Sequence, residues 1–183
     1  MGQYYKACLL NENRVRVITP DWMKIMEHSW YGNTTMRRVE KLLFNNPMSV
    51  MWVWDYSQCA PFCWTYKWVW EENWFKVDYN EIEDLLDREE WKNYFLVNHT
   101  RKCYINMTKQ ENTEEFKSDW RCVHPLSLLT RCDTEEAWWD YHSDINKDKL
   151  WIWCWDEIEV VESDSDTLDW YTDRTNDLYF KEL

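Results

Sequence analysis

Three histidines, His28, His99 and His124, are the side chains of this chain best suited to moving a proton near neutral pH. His28 follows Glu27 beside an apolar helical stripe, His99 falls at the tip of a predicted hairpin, and His124 precedes a proline. Asp55 is the one charge in the apolar run Ser49–Ser57. Brought together at the end of a sheet, His28, Asp55 and His124 would make a general-base or metal site. Kept apart, each is a polar group that needs only ordinary hydrogen-bond partners. Spacing alone does not converge them. Cys59, Cys63, Cys122 and His124 number enough for zinc, but the x3 and x1 gaps fall short of paired C-x2-C ligands, so no metal is expected. Asp164, Asp166 and Asp169 hint at calcium, yet Asp169 and Thr175 stand where an EF-hand loop needs glycine and glutamate. Cys154, within Trp151–Trp155, reads as buried and inert.

Arg37, Arg38 and Lys41 form a basic helix face. With Trp30 nearby, that face would hold a phosphate while a ring stacks on a base; the alternative is a solvated surface. There is no G-x-G-x-x-G, no P-loop and no G-x-S-x-G elbow among only 2 glycines. No cofactor is therefore expected.

The elements that would position these residues follow from hydrophobic period. Ser49–Ser57 alternates Val50, Trp52, Trp54 and Tyr56 against Met51, Val53 and Asp55, the pattern of a central strand covered on both faces. Leu150–Val161 has the same character, with Trp151, Trp153 and Trp155 predicted on one face. Gln3–Leu10 and Val15–Thr19 read as a hairpin. Thr19-Pro20 opens a helix carrying Trp22, Ile25, Met26 and Trp30, and Gly32-Asn33 ends it. A second helix runs from Thr34 or Thr35 to about Phe44, with Met36, Val39, Leu42 and Leu43 inward.

Further on, Thr65–Trp70 reads as a strand and Asp78 with Glu81 as the capping box of a helix bearing Ile82, Leu85 and Leu86. Tyr94–Val97 and Lys102–Asn106 flank Asn98–Arg101 as a hairpin. Val123–Leu129 is predicted extended, Pro125 holding His124 out of the α region. Thr134–His142 reads as a short helix, Ser163–Asp169 as an acidic turn, and Leu168–Phe180 as an edge strand or last helix. The sum is an α+β fold, a mostly antiparallel or mixed sheet with two Trp-rich strands and two to four helices in a single domain over 1–183. The acidic segment 163–183 would be peripheral.

Composition sets the outer bounds. A chain of 183 residues buries roughly 70% of its unfolded surface, so no staples are needed. The 16 tryptophans exceed what one small core encloses, and some are expected partly exposed, as at binding surfaces. Net charge is −13, and the last 28 residues carry 10 acidic and 2 basic side chains. Such a surface repels nucleic acid and serves either solubility or imitation of an acidic ligand. Seven cysteines, no charged leader before an apolar run, and no apolar stretch of about 18 residues point to a cytoplasmic protein without membrane contact.

Several phrases resemble a family of small phage and bacterial proteins that open with MGQYY: Met1–Lys6, Met26–Asn33, Asp55-Tyr56, Val97–Thr100, His124–Thr130 and a terminal strand containing Trp155. They occur in the same order over most of the chain. The family's glycine-rich, arginine-containing loop has no counterpart in Arg131–Tyr141, which lacks glycine, so a close backbone approach to a ligand is not copied there. The resemblance implies a phage or mobile-element origin and no particular chemistry.

The leading expectation is thus a non-catalytic binding protein, phage-encoded, that engages or inhibits a host factor through an acidic, aromatic-rich surface, a candidate for countering host defence. Two alternatives stand beside it. One is a binder of a small nucleotide signal at Arg37, Arg38, Lys41 and Trp30; the other is an enzyme centred on His28, Asp55 and His124.

Overall fold

The structure, a computed structural model, describes residues 5–11, 14–18, 33–54, 94–107, 124–132 and 152–179. Strands β1 (Tyr5–Asn11) and β2 (Arg14–Ile18) form the expected hairpin, with Ala7 opposite Ile18. Helix α1 (Thr34–Leu43) starts where Asn33 Oδ1 accepts the backbone N–H groups of Thr35 and Met36, at 2.8 and 3.4 Å. Its Met36, Val39 and Leu43 are fully buried, the face that the i, i+3, i+7 spacing predicts.

Strand β3 (Met48–Trp54) lies inside the sheet, antiparallel to β1 through Tyr5↔Trp54 to Leu10↔Ser49. Val50 and Trp52 join Tyr5, Ala7 and Leu9 in the main core, while Met51 and Val53 are buried on the opposite face. The two-sided burial that the apolar run predicts is therefore present. Strands β4 (Tyr94–Asn98) and β5 (Cys103–Asn106) pair as Asn98↔Cys103 around the predicted tip.

Two expectations are corrected. Val123–Leu129 is not extended. Pro125–Thr130 is helix α2, with proline at the first helical position and His124 as its N-cap at ψ 134°. Proline supplies the helical φ and lacks only an N–H that would have gone unpaired there, while His124 alone obeys the pre-proline restriction. The second correction concerns Leu150–Val161: its strand, β7, spans only Glu157–Glu162, after the tryptophans. The cause is competition for the edge of β3. Met48 and Ser49 pair with β7, whereas Trp52 and Val53 pair in parallel with β6 (Arg131–Cys132). Between them the chain must turn. The N–H of Trp155 donates to Val50 O at 3.0 Å and that of Asp156 to Trp153 O at 3.0 Å. Trp155 takes φ 66°, a left-handed value costly for a bulky side chain, in a chain with little glycine to place there.

After β7 comes a 3-10 turn (Asp166–Trp170), then β8 (Thr172–Asp173) and helix α3 (Thr175–Tyr179). The acidic turn is as expected, and Leu168–Phe180 holds both an edge strand and a helix. The strand order is β2-β1-β3-β7-β4-β5-β8, with β6 beside β3, mostly antiparallel with parallel contacts at β6 and β8. The chain is α+β with a mixed sheet. Leu126 and Leu129 of α2 share the core with α1. The stretches 19–32, 55–93 and 133–151 hold the predicted Thr19-Pro20 helix, Thr65–Trp70, the Asp78/Glu81 helix and Thr134–His142, all outside the described residues.

Candidate functional site

The β4–β5 hairpin tip is where the described polar groups converge. Asn98 ends β4 fully buried, its Oδ1 accepting the Arg101 backbone N–H at 2.9 Å. That bond closes the turn and lets Lys102 adopt φ 54°. Asn98 Nδ2 donates to Asp156 Oδ2 at 2.8 Å, and Arg101 Nε donates to the same oxygen. Asp156, 8% exposed at the foot of β7, thus carries its charge inward against two donors. The backbone N–H of His99 donates to Glu157 O at 2.9 Å, and Thr100 Oγ1 accepts from Glu157 N at 2.9 Å. The tip is in this way clamped to the start of β7.

That clamp aims the His99 imidazole. Its Nε2 lies 2.7 Å from Glu159 Oε2 and its Nδ1 3.0 Å from the Tyr171 hydroxyl. Lys102 Nζ donates to the same hydroxyl at 3.1 Å and sits 5.0 Å from the Tyr171 ring centroid. The Thr172 N–H donates to Lys102 O at 3.0 Å, so pairing of β8 brings Tyr171 to the tip. Four side chains from three chain segments, spanning residues 99 to 171, meet in one hydrogen-bonded row. The side chains of His99 and Glu159 are 18% and 12% exposed.

No family model, characterised protein or solved structure matches the chain. The site is read from its geometry.

Beside the row, the parallel register Cys103↔Thr172 places these two residues on the edge of a cavity of about 350 Å3. Ile105, Leu129 and Trp153 give it apolar walls, and Arg101 and Arg174 give it two guanidinium groups. Its volume lies at the low end of the roughly 300–1,000 Å3 of small-molecule sites. Arg174 Nη1 donates to Asp177 Oδ2 at 2.8 Å, and that carboxylate holds the guanidinium above its ordinary range. Burial pushes the Cys103 thiol up, while Arg174 and Arg101 pull it weakly down. It is a protonated, largely covered thiol at neutral pH, unsuited to nucleophilic attack. Among the described residues, no group of three or more His, Cys, Asp or Glu side chains is arranged to hold a metal ion.

The residues singled out from sequence are placed as follows. His28, Asp55 and Trp30, with Cys59, Cys63 and Cys122, lie outside the described residues. His124 is wholly buried, and both ring nitrogens are engaged. Nδ1 accepts the Leu126 N–H at 3.1 Å, which puts the ring proton on Nε2, 2.6 Å from Glu40 Oε1. Ser127 Oγ donates to His124 O and Thr130 Oγ1 to Leu126 O, so His124–Thr130 is a sealed, self-capped helix tied to α1. That describes a structural anchor with no open face for a substrate. Arg37, Arg38 and Lys41 are half-buried on α1, each engaged within the protein.

Sequence reasoning noted His99 but missed Glu159, Tyr171, Lys102 and Asp156. The available signal was Asn98–Lys102: five consecutive polar residues closing a hairpin between apolar strands.

Proposed function

We propose that this is a non-catalytic binding protein that engages a host factor through an acidic, tryptophan-bearing surface. The observation that carries it is Trp170, 83% exposed, the one exposed large hydrophobic side chain among the described residues. It closes the 3-10 turn beside Asp166 and Asp169, both exposed, with Glu162 and Asp164 exposed just before. From Glu157 to Asp173 the chain has seven acidic side chains and no lysine or arginine. An indole offered to solvent amid one sign of charge suits a partner with a basic rim and an apolar pocket. The indole would supply the anchor and the acids the steering.

The resemblance to small phage and bacterial proteins supports a phage origin and, with it, a partner of bacterial-host origin. The cysteine usage supports the cytoplasm, and no described helix is long and apolar enough to cross a membrane. The test is capture from bacterial lysate at low and high salt, with Trp170→Ala alongside. One partner retained by the native chain at low salt, and lost both on adding salt and on removing the indole, supports the reading. Equal capture by the variant overturns it.

The cavity favours a second reading, a small anionic ligand with an apolar body, of which a nucleotide is one case. Arg101 and Arg174 would meet the anion, replacing the Arg37/Arg38/Lys41 face as the basic element. Thermal shift against nucleotides, with Arg174→Ala as control, tests it: a concentration-dependent rise lost in the variant supports it, and a flat screen removes it.

A further inference from the structure

The row Glu159–His99–Tyr171–Lys102 has a direction, set by what each end is able to do. An ammonium group only donates and a carboxylate only accepts. Lys102 Nζ therefore gives a hydrogen bond to the Tyr171 oxygen at 3.1 Å, and Glu159 Oε2 receives one from His99 Nε2–H at 2.7 Å. With the ring proton on Nε2, His99 Nδ1 carries a lone pair, and the Tyr171 O–H 3.0 Å away points its proton there. Carboxylate, imidazole and hydroxyl follow in the same order and polarity as in a nucleophile–base–orienter triad. Two differences help the hydroxyl. A phenol gives up its proton far more readily than a serine, and the cation at 3.1 Å offsets the charge left on oxygen.

We propose that Tyr171 is a base-assisted nucleophile that accepts an acyl group from an activated, uncharged ester. The phenol oxygen attacks the ester carbonyl carbon as its proton passes to His99 Nδ1, and Glu159 stabilises the resulting imidazolium. The C–O bond to the leaving alcohol breaks, its electron pair leaves on the alcohol oxygen, and His99 returns the proton to that oxygen. The products are a tyrosyl ester and a free alcohol; no electrons change hands and one event per molecule suffices. An acyl donor is favoured over a phosphoryl donor by charge. Asp166, Asp169 and Asp173 flank Tyr171, and all are exposed, so a dianionic phosphate is repelled where a neutral ester is not. Exposed Trp170, next in the chain, offers an apolar platform for an aryl leaving group. Tyr171 is the nucleophile, His99 the base, and Glu159 a positioning residue. The proposal is independent of the docking reading and stands if no partner is found.

The experiment treats the full chain with 4-nitrophenyl acetate, follows nitrophenolate release, and maps acetylation by peptide mass spectrometry. Tyr171 should be acetylated at least about tenfold faster than Tyr104, a cautious share of the hundredfold or more that a positioned base contributes. Tyr171→Phe should remove that product while leaving the circular dichroism unchanged. His99→Gln should bring the Tyr171 rate to within about twofold of Tyr104. Glu159→Gln should lower the Tyr171 rate with Tyr104 unaffected, and Glu159→Asp, which keeps the carboxylate, should restore part of it, a rescue that a merely structural role would not produce. Tyr171 labelled no faster than Tyr104, or equally fast in folded His99→Gln protein, overturns the proposal.

Discussion

Replacing His124 by alanine tests whether the Glu40–His124 pair is the bolt between α1 and α2. The substitution removes the side chain that caps α2 through the Leu126 N–H, worth about 1 kcal/mol. It also strips Glu40 Oε1 of its 2.6 Å partner. Glu40 is 1% exposed, and its Oε2 already has no hydrogen-bond partner among the described residues. A buried carboxylate that loses its partner costs at most about 3–5 kcal/mol. The expected total is about 3–5 kcal/mol, which at roughly 2–4 °C per kcal/mol for a chain of this size lowers Tm by about 6–20 °C. Urea unfolding of the native chain, His124→Ala, Glu40→Ala and the double variant closes a cycle. A coupling energy of about 2 kcal/mol is expected, since the second deletion removes a group the first has already orphaned. A loss near 1 kcal/mol for His124→Ala with coupling below about 0.5 kcal/mol would refute the reasoning, leaving only a helix cap.

Three further outcomes are expected. Asn98→Ala removes a buried donor to Asp156 and the acceptor that closes the Arg101 turn, and should cost about 2–3 kcal/mol in urea unfolding. Cys103 gives a pH dependence: burial raises its thiol above the ordinary value near 9, so the folded chain keeps a proton that the unfolded chain releases. That stability is whole below about pH 9 and is lost as pH rises toward the folded-state value, with Tyr104 shifted the same way from near 10. The urea midpoint should fall from about pH 8 to pH 10, less steeply in Cys103→Ala, and an equal fall in both would count against the assignment. Trp170→Ala should change stability by less than about 0.5 kcal/mol, because an indole 83% exposed has little burial to lose; a larger drop in a thermal melt would mean the ring packs inside.

Local pattern carried much of the architecture. The alternation in Ser49–Ser57 placed Val50 and Trp52 on one buried face and Met51 and Val53 on the other. Apolar residues at helical spacing marked α1, and the Asn98–Arg101 break marked a hairpin, since each depends on neighbours within a few positions. The failures came where distant strands competed. Whether Trp151–Trp155 continues a strand depends on which chain claims the edge of β3, and β6, some 20 residues earlier, claims half of it. Pro125 allowed either an extended reading or a helix start. The choice went to the helix because His124 finds both a backbone N–H to cap and Glu40 to hold.

The sequence by itself determined composition and charge: an acidic chain, rich in indole and poor in glycine, with an aromatic two-faced strand at its centre. Only the tertiary structure decided which polar residues work together. His99, Glu159 and Tyr171 are 60 and 72 residues apart in the relevant pairs, and no periodicity encodes their meeting. It is fixed by the β4–β7 register and by the backbone bonds from Thr172 to Lys102 and from Arg174 to Tyr104 that bring the last strand to the hairpin tip. Hydrophobic period reports which side of an element faces inward; the pairing of sheet edges determines what that element faces.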